Sequence, residues 1–153
     1  MGESRNGAAG DMGTWGVSPI GSDSAMDFLD LLAELPEGDR RTRVVDVLTI
    51  ADQRPEAIMR EIVPEEVLAA AAVVAGALPG GEALPWAGDD ALAGAGLAAG
   101  SAAGLGAVAV RAVRAAVSHG GGWWEASWVS EEDRVAARES LDGLVQVLER
   151  NRN

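Results

Sequence analysis

The stretch that most restricts what this chain can fold into is Ala91 to Val117, ALAGAGLAAGSAAGLGAVAVRAVRAAV. Its first twenty residues carry no charge and are mostly alanine and glycine. Gly96, Gly100 and Gly104 recur every fourth residue, a spacing that puts them close to one line on one face of a helix. Glycine inside a helix costs about 1 kcal/mol relative to alanine, so the five glycines at 94, 96, 100, 104 and 106 handicap such a helix by roughly 5 kcal/mol. Close approach of another backbone along the glycine line would offset that loss by added packing.

Three structures suit this stretch. The first, and the one the pattern favours, is a buried central helix entered through a loose glycine-rich segment. The second is a transmembrane span, for which twenty uncharged residues is long enough. Against it, strong apolar groups are few, and no basic cluster flanks the segment. The third is a Gly/Ala loop as far as Gly106, with a helix only from Ala107 to Ser118.

At 153 residues the length is that of one domain, and 48% hydrophobic content is enough for a core. Cysteine is absent, which excludes disulfides, a thiol nucleophile and zinc–thiolate sites. All twelve basic residues are arginine, so lysine Schiff-base and P-loop chemistry are excluded too. The bias to alanine, glycine and arginine reads as a GC-rich coding bias. A formal charge of −12 argues against binding nucleic acid through its phosphates and suits attraction to a basic partner. Nearly all of the acid excess sits in two blocks: residues 1–38, with seven acids and one arginine, and residues 65–110, with five acids and no base.

Met1 to Asp11 is polar and glycine-rich, with no apolar run of the kind a signal peptide needs. It reads as disordered, or as an extension before a start at Met12, and the remainder as one helical domain over residues 12–150. Met12-Gly-Thr-Trp15-Gly-Val-Ser-Pro19 predicts an ordered turn. Ser22, Asp23 and Ser24 are candidate N-caps for a helix to Leu35, and Ser24-x-x-Asp27 fits a capping box. Ala25, Phe28, Leu29, Leu32 and Leu35 share one face of that helix. Pro36-Glu37-Gly38 ends it.

A second helix is expected from Arg40 to Asp52, with Val44, Val45, Leu48 and Ala51 inward. Its β-branched run Val44–Ile50 leaves a strand as the alternative. A short helix over 55–62 follows, then a third long one from Pro64, burying Val67, Leu68, Ala71, Val74, Ala75 and Leu78 and stopped by Pro79-Gly80-Gly81. Residues 82–90 read as a loop. Ser118-His119-Gly120-Gly121-Gly122 breaks the chain. Ser130-Glu-Glu-Asp133 is a second capping-box pattern, opening a last helix with Ala137, Leu141, Leu144, Val145 and Leu148 inward.

Asp23, Asp27, Asp30 and Glu34 line the face of the first helix opposite its apolar stripe. A solvated amphipathic helix shows this pattern; docking of a basic partner and oxygen ligation of a metal are the functional alternatives. Trp15, Trp86, Trp123, Trp124 and Trp128 are five of the six aromatics. Tryptophan supplies bulk around small alanines, but it is also favoured at binding hot spots. His119, the only histidine, sits beside three glycines and has no nucleophile-elbow pattern near it. Arg40, Arg41, Arg43, Arg111 and Arg114 read as ion-pair and helix-surface residues, with a phosphate site as the alternative.

Met12-Gly13-Thr14-Trp15-Gly16, followed by Pro19, Asp23, Ala25, Asp27 and Phe28, resembles the opening signature of an uncharacterised bacterial family, domain of unknown function 4259. The Ala-rich helix 69–77 and the late tryptophan pair before a terminal helix resemble it as well. Ser18 stands where the family usually has glycine, and Ile20 where it has phenylalanine. The resemblance covers about residues 12–150 and implies no activity.

Together these features predict an all-α fold: one compact bundle of about five helices, with an ordered Trp-Gly turn and a central helix near Leu97–Val117. The expected function is a non-enzymatic, acidic, cytoplasmic protein-binding module of immunity or accessory type. It would use Trp15, Asp23, Asp27, Asp30, Glu34, Trp123, Trp124 and Trp128 to bind a basic protein, with no metal, cofactor, nucleic acid or membrane. A second copy of the chain is the other partner considered. The rival functions are an enzyme or small-molecule binder with a Trp-lined pocket and Asp23 or Asp27 as acid or base, and a membrane-associated protein built on the glycine line.

Overall fold

A computed structural model describes residues 20–98, 100–119 and 130–152. Six α-helices lie in these segments: α1 (Asp23–Ala33), α2 (Glu37–Gln53), α3 (Pro64–Gly76), α4 (Asp90–Gly94), α5 (Gly106–His119) and α6 (Glu131–Arg150). The described residues hold no strand, only an isolated bridge between Ile58 and Ile62. Val44–Ile50 is helical, because its β-branched residues fall at spacings that bury Val44, Val47, Leu48 and Ala51 together.

α3 is the most deeply buried helix. Every residue from Val67 to Ala75 is inaccessible or nearly so, which makes this helix apolar all round rather than amphipathic. It packs against α1, α2, α5 and α6, and α5 packs in turn against α2, α3 and α6. The alanines of α3 let these neighbours come close on every side. The expected one-sided stripe was therefore too narrow, since small residues at the intervening positions are buried too.

The caps explain the helix boundaries. Ser22 Oγ accepts the Ala25 amide at 3.1 Å and opens α1, so the cap is Ser22 and not the Ser24/Asp27 pair. Ser130 Oγ accepts the Asp133 amide at 3.1 Å and opens α6, as its sequence implies. Glu66 returns a carboxylate to the Val63 amide at the start of α3. α2 begins at Glu37, three residues earlier than expected, with Pro36 as its extended N-cap. Residues 55–62 form one 3-10 turn (Pro55–Ala57) and a tight loop in which Met59 takes a left-handed φ of 77°, rather than a short α-helix.

In the Gly/Ala stretch the favoured central helix gives way to the third reading, a loop as far as Gly106 followed by a helix. The helix expected near Leu97–Val117 starts only at Gly106, after the short α4 and a chain of turns. Gly100 and Gly104 are exposed, with φ of 91° and 83°, and Gly96 is half-buried, so the three never form one helical line. The physical reason is the glycine penalty itself: no backbone seats on the line to offset it, and the glycines serve left-handed turns instead. Close approach does occur, but at Gly81 and Gly106. A methyl at Gly106 would overlap the Asn151 carbonyl and lie 2.8 Å from the Leu148 carbonyl oxygen; one at Gly81 would overlap the Ala75 carbonyl. No described helix is long and apolar enough to cross a membrane.

Candidate functional site: an acidic face and an adjoining groove

α1 presents its carboxylates as its periodicity requires. Ala25, Phe28, Leu29 and Leu32 are buried, while Asp23, Asp27, Asp30 and Glu34 are exposed. Leu31 lies among these acids and remains 43% exposed. The four acids do not converge: no three His, Cys, Asp or Glu side chains among the described residues come together as metal ligands would.

Packing adds a second acidic group. α1 lies against α4, and Met26 lines the same open depression as Gly88, Asp89, Asp90 and Ala91. Asp89 caps α4, its Oδ1 accepting the Ala91 amide at 2.9 Å. Asp90 is exposed. The two acid-rich blocks of sequence thus meet on one side of the bundle.

Among the described residues no arginine forms an ion pair with these acids, although the Arg40 guanidinium lies on the carbonyls at the end of α1. The ion pairs among the described residues are Arg54–Glu61, Arg111–Asp52, Arg114–Glu149, Arg134–Glu131 and Arg152–Glu149. None involves an acid of α1 or of the segment before α4. Arg40 and Arg41, expected as ion-pair residues, bind backbone carbonyls. Arg40 donates to Leu35, Gly96 and Ala33, and Arg41 to Ser101 at 3.0 Å. Arg111 and Arg114 do form the ion pairs expected of them, at 3.0 and 2.8 Å.

A groove of about 310 Å³ adjoins this side and shares Gly88 with the depression beside Met26. The end of α3 forms one wall, with Val73 and Gly76. Leu92 of α4 and Leu97 beyond it form the other. Glu82 stands at its margin, exposed and outside every ion pair of the described residues. Composition gave no hint of this groove, since nothing local distinguishes Gly76 or Gly88 from the other glycines.

Of the tryptophans, Trp86 is 7% exposed and belongs to the core, its indole N–H buried with no acceptor. It lines neither depression. Trp15, Trp123, Trp124 and Trp128 lie outside the described residues. Asp23 and Asp27, the acids of the rival catalytic reading, are exposed, and the described residues bury no charged side chain. His119 is exposed at the end of α5.

The sequence pattern of the family described as Domain of unknown function (DUF4259) matches residues 13–140. The chain belongs to the DUF4259 family. The match includes α1 through α5 and the first half of α6, so the acidic face and the groove both lie within the DUF4259 region. No curated protein and no solved structure matches the chain.

Proposed function

We propose that this DUF4259 protein is a non-enzymatic, acidic binding module of the cytoplasm that docks a basic protein, in the manner of an immunity-type or accessory protein. The observation that carries this reading is the set of exposed acids without ion-pair partners on α1 and in the Glu82–Asp90 segment. Asp27, Asp30, Glu34, Glu82 and Asp90 are all exposed there with no cation paired to them among the described residues. Unpaired charges of one sign raise the local potential and speed encounter with a partner of opposite charge. Leu31, 43% exposed on the same helix, adds apolar surface beside these acids.

The test is affinity capture from the native host with the wild-type chain and with Asp27→Asn, Asp30→Asn, Glu34→Gln combined. A basic protein should be retained by the wild type and lost from the variant. With the purified partner, affinity should fall as salt rises from low ionic strength through about 0.15 M, where screening lengths shorten to about 8 Å. Equal capture by both chains would overturn the reading.

A further inference from the structure

The start of α2 grips two structures that are distant from each other in the chain. On one side is the Gly/Ala loop, residues 95–98 and 100–105. Glu37 accepts the Ala98 amide at 2.8 Å, Arg40 donates to the Gly96 carbonyl at 3.1 Å, and Arg41 donates to the Ser101 carbonyl at 3.0 Å. Among the described residues, the hydrogen bonds that join the loop to a sequence-distant element all end on these three side chains. Its backbone bonds are short-range turns, such as Ser101 to Ala98 and Leu105 to Ala102, both at 3.0 Å. Ala95, Ala102 and Leu105 are buried, while Ala98, Gly100, Ala103 and Gly104 are exposed. Few buried apolar groups and many exposed backbone bonds mark a segment that opens at less cost than the whole fold.

On the other side is the end of α1. Arg40 donates through Nε to the Leu35 carbonyl and through Nη2 to that of Ala33. A guanidinium is planar, with its donors in a fixed fork. Arg40 can therefore serve oxygens of the loop and of α1 together only while both keep their places.

We propose that the start of α2 is a latch: the Gly/Ala loop opens from it as one unit, and Arg40 couples that opening to the end of α1. Local openings that share a contact are linked, and the linkage is reciprocal. Whatever orders the end of α1, where Glu34 stands exposed, holds the loop closed by the same factor.

The test is amide hydrogen exchange by NMR on the full-length protein, with rates read against Val110 in α5 as the reporter of global opening. Arg41→Ala removes one clasp and touches no α1 carbonyl. It should speed exchange at Ala98, Ser101, Ala103 and Leu105 together by about fivefold, as for one lost hydrogen bond. The Leu35 amide, bonded to the Leu32 carbonyl at 3.0 Å, should speed by about two- to threefold, the low end of couplings carried by single residues. In an Arg40→Ala background, Arg41→Ala should still speed the loop amides and leave Leu35 unchanged. A response confined to Ser101 would mean that the clasps break one by one, and would overturn the latch. So would a Leu35 amide that ignores Arg41→Ala in the otherwise wild-type chain, or one that responds equally with and without Arg40.

Discussion

Arg40, in the first turn of α2, donates through Nη1 to the carbonyl oxygen of Gly96 at 3.1 Å, across 56 residues of chain. The same guanidinium donates through Nε to Leu35 at 2.9 Å and through Nη2 to Ala33 at 3.3 Å, carbonyls left without helical partners where α1 ends. Next to it, Arg41 holds Ser101, and Glu37 accepts the Ala98 amide at 2.8 Å. One turn of α2 thus fixes both the end of α1 and the Gly/Ala loop.

Arg40→Lys is expected to destabilise the fold by about 1–2 kcal/mol, because an ammonium is a point charge and cannot serve three oxygens set in a fork. Urea denaturation gives the stability, and amide hydrogen exchange gives the location: Ala98 should exchange faster than in the wild type. A lysine variant with wild-type stability and unchanged exchange would show that the fork contributes nothing.

Three glycines should respond differently to alanine. Gly106→Ala pushes a methyl into the carbonyls of Leu148 and Asn151 at the end of α6, and overpacking of this kind costs about 1–3 kcal/mol. Gly100→Ala meets no atom but must hold a φ of 91°, at about 1–2 kcal/mol. Gly38→Ala meets nothing and lies in α2, so it should stabilise by up to about 1 kcal/mol. Denaturation midpoints check the order. A neutral Gly106→Ala would mean that α6 is free to move off the start of α5.

Glu61 and Arg54 bracket the Met59 turn through two hydrogen bonds, at 2.9 and 3.3 Å. The hydrogen bond from Arg54, and then its charge, hold the Glu61 carboxyl below its ordinary range, and Glu61 raises the guanidinium in return. A carboxyl whose pKa is lowered by folding adds stability above its unfolded value and loses it as pH falls through the folded value. Both groups face water, so the contribution is small. In an acid titration followed by carboxyl-carbon NMR, Glu61 should titrate at lower pH in the wild type than in Arg54→Ala. Identical midpoints would mean that the pair does not form in solution.

The candidate site was half legible in the sequence. The α1 acids stand where the 3.6-residue period put them, because opposite faces of one short helix are a local matter. The groove was not legible, since its two walls come from α3 and from the segment after it, and only their packing leaves a space. Trp86 takes the bulk-filling place in the core that the sequence offered as one reading of the tryptophans.

By itself the sequence determined the four long amphipathic or apolar helices α1, α2, α3 and α6 to within a few residues, and where several of them stop. Apolar residues at helical spacing, the Ser130 cap and the breaks at Pro36 and Pro79 act within a few residues of chain, and short-range geometry is what a linear pattern encodes. It also determined that the chain is acidic in two blocks. The tertiary structure alone decided that those blocks lie side by side and that α3 is enclosed on every face, and it chose, among the readings the sequence left open, the one in which Gly100 and Gly104 turn the chain instead of lining a helix. Each of these depends on which distant surface is available to cover a residue. Without a backbone seated on the glycine line, the cost of glycine in a helix stood unopposed, and the loop held by Arg40, Arg41 and Glu37 formed instead.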